Sequence, residues 1–443
     1  MPADLVVRGG MLPATANEAR DIAIDDGRIV AIGSDLPGGR AEIDARHLLV
    51  LPAVVDVHLH FNEPGRTDWE GAVTGSRALA AGGGATFVDM PLNSTPCTIT
   101  PFEFDRKRAA LEDASIADFG LWGGLVPGAV PEMAGMVGRG VVGFKAFMCD
   151  SGLPEFPRAD DDTLEAGMAE AARLDSLVAV HAESHEMTMR LAAQARSRDV
   201  AGFLASRPVE AELEAIARAV DIAARTRARL HIVHVSSGRG VALAAEARAR
   251  GADISIETCP HYLFFTEDDV ARLGAVAKCA PPLRTAAERE ALWAQVVGGQ
   301  VDIVASDHSP TEPARKAGEF WSAWGGIAGV QSTLQVVFDA GRARGLDLER
   351  IVSLIATTPA RRFGLARKGA LQVGNDADLV LFDPDQSTTL RADDLHQRHP
   401  LSPYVGQTFL GRIRRTIRRG ETIFLNGQIT ATTKGRFIAA TRT

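Results

Sequence analysis

The chain has 443 residues, 46% of them hydrophobic and 23% charged, with a net charge of -8; this is ordinary globular make-up on a chain too long for one ordinary core. The acidic balance argues against broad binding to nucleic acid or to an anionic membrane, since either needs a basic face. Four scattered cysteines, Cys97, Cys149, Cys259 and Cys279, form no C-x-x-C pair, which argues against a disulfide framework and against finger-type zinc.

The first residues, Met1-Pro2-Ala3-Asp4, are not a basic segment followed by an apolar one, and no eighteen apolar residues run together, so a cytoplasmic protein is expected. From residue 5 to 51, short alternating runs such as Leu5-Val6-Val7-Arg8 end in turn residues such as Gly9-Gly10. The pattern returns at 376–382 and 416–424. The two ends are therefore predicted to share a small β-sandwich domain, 1–51 with 366–443. Within it, Arg412, Arg414, Arg415, Arg418 and Arg419 alternate with Ile413 and Ile417, which reads as the solvated face of a strand.

The middle, 52–365, alternates apolar runs with alanine-rich helical stretches, the rhythm of a parallel β/α structure. Runs at 54–57, 85–90, 119–125, 141–147, 177–180, 230–233, 254–257 and 303–305 predict the eight strands of a (β/α)8 TIM barrel. Functional groups of that fold stand at the C-terminal ends of strands. In Asp56-Val57-His58-Leu59-His60 strand alternation puts His58 and His60 on one face, close enough to share a metal ion. Lys145 lies near the end of the fourth run, His181 follows the fifth, His234 the sixth and Asp307 the eighth. Each residue alone is weak evidence, but their coincidence at matching strand ends defines a site.

Lys145 is the odd member, because a protonated ammonium has no lone pair and repels a metal. Buried among apolar neighbours it loses its proton more readily, and a neutral amine can add carbon dioxide to become a carbamate, a carboxylate able to bridge two cations. Cys149 and Cys279 can line a pocket or simply pack. His261 and His308 adjoin the site motifs, as hydrogen-bonding supports or as packing.

The motifs resemble those of the cyclic amidohydrolases of the amidohydrolase superfamily, and the resemblance covers nearly the whole chain. It is carried by 60–67 (His-Phe-Asn-Glu-Pro-Gly-Arg-Thr), 89–94, Cys259-Pro260-His261-Tyr262, Ser306-Asp307-His308-Ser309-Pro310 and 324–329 (Trp-Gly-Gly-Ile-Ala-Gly). The resemblance implies a distorted (β/α)8 barrel with a β-sandwich from both termini, and a homo-oligomer, a tetramer first. It also implies that His58, His60, carbamylated Lys145 and Asp307 hold one divalent metal ion while Lys145, His181 and His234 hold a second. Zinc is the first expectation, with cobalt, manganese or nickel compatible with the same ligands.

Substrate is separated from metal by the pocket. Dihydroorotases are similar but usually carry an arginine where this chain has Asn62, and hydantoinases and dihydropyrimidinases usually carry a tyrosine soon after the lysine motif, where this chain reads Phe147-Met148-Cys149-Asp150. Within the group the resemblance is to the branch acting on allantoin, and it implies hydrolysis of a hydantoin-type ring. Asp307 is expected to carry the proton, and Asn62, Asn93, Ser309, Gly326 and Ile327 to contact the substrate. The enzyme alternatives are a hydantoinase, a dihydropyrimidinase or a dihydroorotase. A non-catalytic scaffold of the same fold is disfavoured because all six ligand positions are intact.

Overall fold

All eight apolar runs become strands, the third, fourth and eighth of them shorter than their runs. In the computed structural model, which describes residues 1–13 and 18–442, the barrel strands are Val54–Leu59, Gly84–Asp89, Asp118–Leu121 continued by Gly123–Gly124, Phe144–Phe147, Leu177–His181, Arg229–Ile232, Ile254–Thr258 and Ile303–Val304. Successive strands pair in parallel. Parallel neighbours need long crossovers, and helices such as Ala72–Ala81, Asp161–Arg173, Val209–Thr226 and Gly238–Ala249 supply them. Side chains that start these helices also end the loops: Asp160 and Ser237 each accept a backbone N–H of the first turn, from Thr163 and Gly240.

The barrel is distorted at two places. The third strand breaks at Trp122, whose indole turns into the barrel and donates to the carbonyl of Val57 at 2.9 Å. Between the eighth and first strands the ladder shrinks to one bridge, Leu59 to His308, with the His60 amide donating to the His308 carbonyl at 2.8 Å. Buried Asp56 completes that seam by accepting the amides of His58 and Ser306, both at 3.2 Å. A thin ladder leaves backbone groups free for such side-chain contacts, and it puts His58 and His60 opposite Asp307.

Both termini build one nine-stranded sheet, with Leu5–Met11, Ala19–Asp25, Arg28–Gly33, Ala41–Asp44 and Leu49–Pro52 from one end and Leu379–Thr389, Thr408–Arg418, Glu421–Leu425 and Gln428–Ile429 from the other. The halves meet where Leu49–Pro52 runs antiparallel to Leu379–Thr389. The sheet divides at Leu5–Met11, one edge of which is shared by two strands. Val7, Ile22, Ile24, Val50, Leu379, Leu381 and Ile417 fill its interior. After the sheet the chain returns to the barrel, where the amides of Gly435 and Ile438 donate to Ser115 and Phe119.

The arginine-rich strand corrects the expectation of a solvated face at its C-terminal end, whereas Arg412, Arg414 and Arg415 stay partly exposed. Arg418 is only 1% exposed, bonded to Glu421 at 2.7 Å and to the Ile116 carbonyl, and Arg419 pairs with Asp118 of the barrel. Lys368, also buried, lies 2.6 to 3.0 Å from Asp118, Asp376 and Asp378. The reason is coverage. Thr408–Arg418 is a central strand, and its Arg418 end lies against the barrel segment at Ile116 and the returning chain at Thr433, whose carbonyls accept from the guanidinium. All four cysteines are buried thiols, and among the described residues no helix is long and apolar enough to cross a membrane.

Candidate metal centre

The six expected ligands converge. His58 lies in the first strand and His60 just beyond it, Lys145 within the fourth, His181 at the end of the fifth, and His234 and Asp307 two and three residues past the sixth and eighth. All six line one cavity of about 440 Å³. One Asp307 carboxylate oxygen is 3.2 Å from His58 Nε2 and 3.5 Å from His60 Nε2. His181 Nδ1 and His234 Nε2 face each other at 3.0 Å, and the His58 and His234 rings are 5.4 Å apart. Donor atoms of His58, His234 and Asp307 all lie within 4.8 Å of one another, so these residues could hold a metal ion.

Protonation states suit that use. Burial holds His60, His181 and His234 below the ordinary imidazole value, leaving neutral rings with a free lone pair at neutral pH. Burial alone would raise Asp307, but the facing His58 and His60 outweigh it and keep the carboxyl well below the usual carboxylate range. Lys145 is 1% exposed, and among the described residues its amine has no hydrogen-bond partner. Burial lowers it to about 8. A buried ammonium without a hydrogen-bond partner is costly, so a larger share of the amine is neutral than on an exposed lysine, which fits a carbamate bridging cations.

Two buried carboxylates set the imidazole tautomers, and neither was singled out from the sequence. Glu257 lies 2.6 Å from His58 Nδ1 and 3.1 Å from His231 Nε2. Glu183 lies 2.8 Å from His181 Nε2 and pairs with Arg207. Burial raises both, but His58 in the one case and Arg207 in the other bring them down to about 2. An ionised carboxylate only accepts, so each forces N–H onto the nitrogen it faces and leaves His58 Nε2 and His181 Nδ1 as lone pairs toward the cavity. Glu183→Gln and Glu257→Gln should each weaken metal binding about 10- to 100-fold in a chelator competition; unchanged affinity would remove this role.

Backbone strain gathers at the site. Asn62, Asn93, His234 and Asp307 have φ of 64°, 69°, 40° and 43°, a region that costs a residue with a side chain roughly 1–3 kcal/mol. Of the expected substrate contacts, Asn93, Ser309 and Gly326 line the cavity, with Asn93 Nδ2 3.5 Å from Ser309 Oγ. A Cβ on Gly326 would lie 2.3 Å from the Ser309 carbonyl oxygen, which requires glycine there. Asn62 and Ile327 are buried beside the cavity without lining it: Asn62 Nδ2 is 3.4 Å from the Pro310 carbonyl, and the Ile327 carbonyl takes the Ser309 amide. Arg66 is occupied by Glu155 and the Asn93 carbonyl. Cys279 lines the cavity whereas Cys149 packs behind it. His308 accepts the amides of Gly329 and Val330, and His261 shares a cluster with Cys259 and Asp307. Arg207, Lys278, Arg315 and Trp321 are wall residues that sequence reading missed.

Such a centre can hold cations that acidify water and keep a carboxylate beside that water for proton transfer, so fold and site together define a metal-dependent hydrolase on a β/α barrel. The chain belongs to the amidohydrolase family, whose sequence model matches residues 49–423. It is 61% identical to the allantoinase of Solibacter usitatus, over 98% of this chain and 96% of that one, and 54% identical to the allantoinase of Rubrobacter xylanophilus, over 99% and 98%. Among solved structures it is similar to the L-hydantoinase of Arthrobacter aurescens, with a TM-score of 0.95 and 34% identity over 99% and 100% of the two chains. The dihydropyrimidinase of Brevibacillus agri gives a TM-score of 0.91 at 29% identity, over 99% and 98%.

Proposed function

We propose that the protein hydrolyses the hydantoin ring of allantoin to allantoate. The observation that carries the reading is the complete six-residue centre on one cavity, in a chain whose curated relatives of 49–61% identity are allantoinases. Two divalent ions, zinc first and cobalt, manganese or nickel otherwise, would be held by His58, His60 and Asp307 on one side and His181 and His234 on the other, with carbamylated Lys145 between them. Bound there, they would lower the pKa of water and polarise the amide carbonyl.

Asp307 takes a proton from the attacking water and passes it to the ring nitrogen as the C–N bond breaks, so that the acyl carbon leaves as a carboxylate. Asn93, Ser309 and Gly326 face the substrate, while Asn62 and Ile327 support them from behind. The same proposal divides the chain into a catalytic barrel, 52–365, and a terminal sheet domain, 1–51 with 366–443, and places a homo-oligomer, tetramer first, in the cytoplasm, where buried free thiols persist.

Rates on allantoin, plain hydantoin and dihydrouracil test the assignment, and faster turnover of either simpler ring would favour the hydantoinase reading instead. Dihydroorotate gives a sharper contrast. Its carboxylate would need a free cation, yet Arg207 is matched by Glu183, Lys278 is spent on carbonyls, and Arg315 is exposed at the mouth beside Trp69 and Trp324. Burying an unpaired ion costs several kcal/mol, so kcat/KM on allantoin should exceed that on dihydroorotate by about 100-fold or more. Equal values would refute the neutral-pocket argument.

A further inference from the structure

One wall of the cavity is a loop without regular structure, 317–326, which contributes Trp321, Ala323, Trp324 and Gly326 to the lining. Its backbone carbonyls are gathered on two lysines. Lys278 Nζ donates to the carbonyls of Phe320, Trp321 and Ala323 at 2.8, 2.9 and 2.7 Å. Lys316 Nζ donates to those of Ala275, Trp324 and Gly326 at 2.8, 2.9 and 2.6 Å. An ammonium has three donors and no acceptor, so each lysine is wholly spent on backbone, and five of the six carbonyls belong to the loop. The Phe203 and Phe320 rings close over Lys278 at 4.9 and 5.2 Å. This is an expensive use of one buried and one half-buried charge, because no carboxylate among the described residues pairs with either.

The geometry points to Lys278 and Lys316 as positioning residues for the substrate: by tying down the carbonyls of 320–326, they hold the Trp321–Gly326 wall in the place where it meets the bound ring. The carbonyls could not be satisfied by neighbouring strands, since the loop lies beyond the end of the barrel, and a neutral side chain would leave them buried without donors. The clamp touches none of the six expected ligands. It therefore acts on substrate affinity and not on the chemical step.

The inference rests on the reading given above for the substrate, and the test separates the two. Lys278→Met and Lys316→Met should each raise KM for allantoin about ten-fold while leaving kcat within about two-fold and the metal content unaltered. Chymotrypsin should cut faster at Phe320, Trp321 and Trp324 in both variants, a readout that needs no substrate. Burial lowers the two ammoniums, Lys278 to about 8, with Arg207 and Arg198 adding to the effect, and Lys316 to about 7, with Lys278 adding and Cys279 opposing. Below those values each lysine keeps three donors and above them it loses one. KM of the native protein should thus rise from about pH 6 to pH 9 and rise less in the variants. Should one variant fail to fold, the other and the milder Lys278→Gln carry the test. If the native protein opens none of the rings, the substrate reading fails and the protease rates decide the clamp. Folded variants with native KM and native chymotrypsin rates would overturn it, as would a loss confined to kcat.

Discussion

Lys145→Ala is expected to lose both metal and turnover while the fold survives. Its amine is buried, has no hydrogen-bond partner among the described residues, and lies 5.0 Å from the Phe147 ring, which itself stacks on His181 at 4.5 Å. Burial outweighs the attraction of Asp307 and Glu257 for an ammonium there, so the residue contributes little to the folded chain as a cation. The metal-free variant should melt no lower than the metal-free native protein. As a carbamate the same side chain would bridge two ions, and without it the ions lose a shared anionic ligand. Turnover should fall by about three orders of magnitude, ~4 kcal/mol of barrier. Acetate or propionate, small enough to enter the space left by the side chain, should restore part of both metal and rate. A variant retaining full activity and two metal ions per chain would refute the bridge.

Asp307→Asn separates ligation from proton transfer. The amide oxygen can still reach a metal, and the side chain is nearly isosteric, so most of the metal should remain. What it cannot do is accept a proton from water and return it to nitrogen. General acid–base catalysis is worth about 10²- to 10⁴-fold, and kcat should fall by that range at unchanged metal content. The native carboxyl sits with one oxygen 3.2 and 3.5 Å from two imidazoles on a residue of φ 43°. That strained placement at a strand end aims it at the site, and asparagine tolerates the same backbone region. Native turnover by a metal-loaded variant would assign the proton to another group.

Much of this was legible because barrel chemistry is written at strand ends. His58 and His60 follow from alternation on one strand, and Lys145 stood out as a cation among ligand types. The supports were not legible. A glutamate within a buried run such as Ile-Ser-Ile-Glu257, or two residues beyond one as in His181-Ala182-Glu183, looks like any strand-end carboxylate until the ring it faces is known. The break at Trp122, inside a run that reads as one strand, depends on where its indole finds an acceptor across the barrel. The arginine strand misled because exposure is a property of the neighbouring layers, and the period of two says only that alternate residues share a face. Asn62 was read as a substrate contact from the resemblance, at the position where dihydroorotases usually carry arginine, whereas its Nδ2 lies 3.4 Å from the Pro310 carbonyl, a contact the sequence does not announce.

The central claim, that this cavity is a metal-dependent ring-opening centre, is tested most directly by following allantoin opening with purified protein before chelation, after it, and after divalent metal and bicarbonate are returned, with metal counted in each sample. The account predicts two ions per chain and rapid opening at the start, almost none of either after chelation, and recovery of both that is fuller with bicarbonate than without. Undiminished opening of allantoin by protein shown to be metal-free would contradict it.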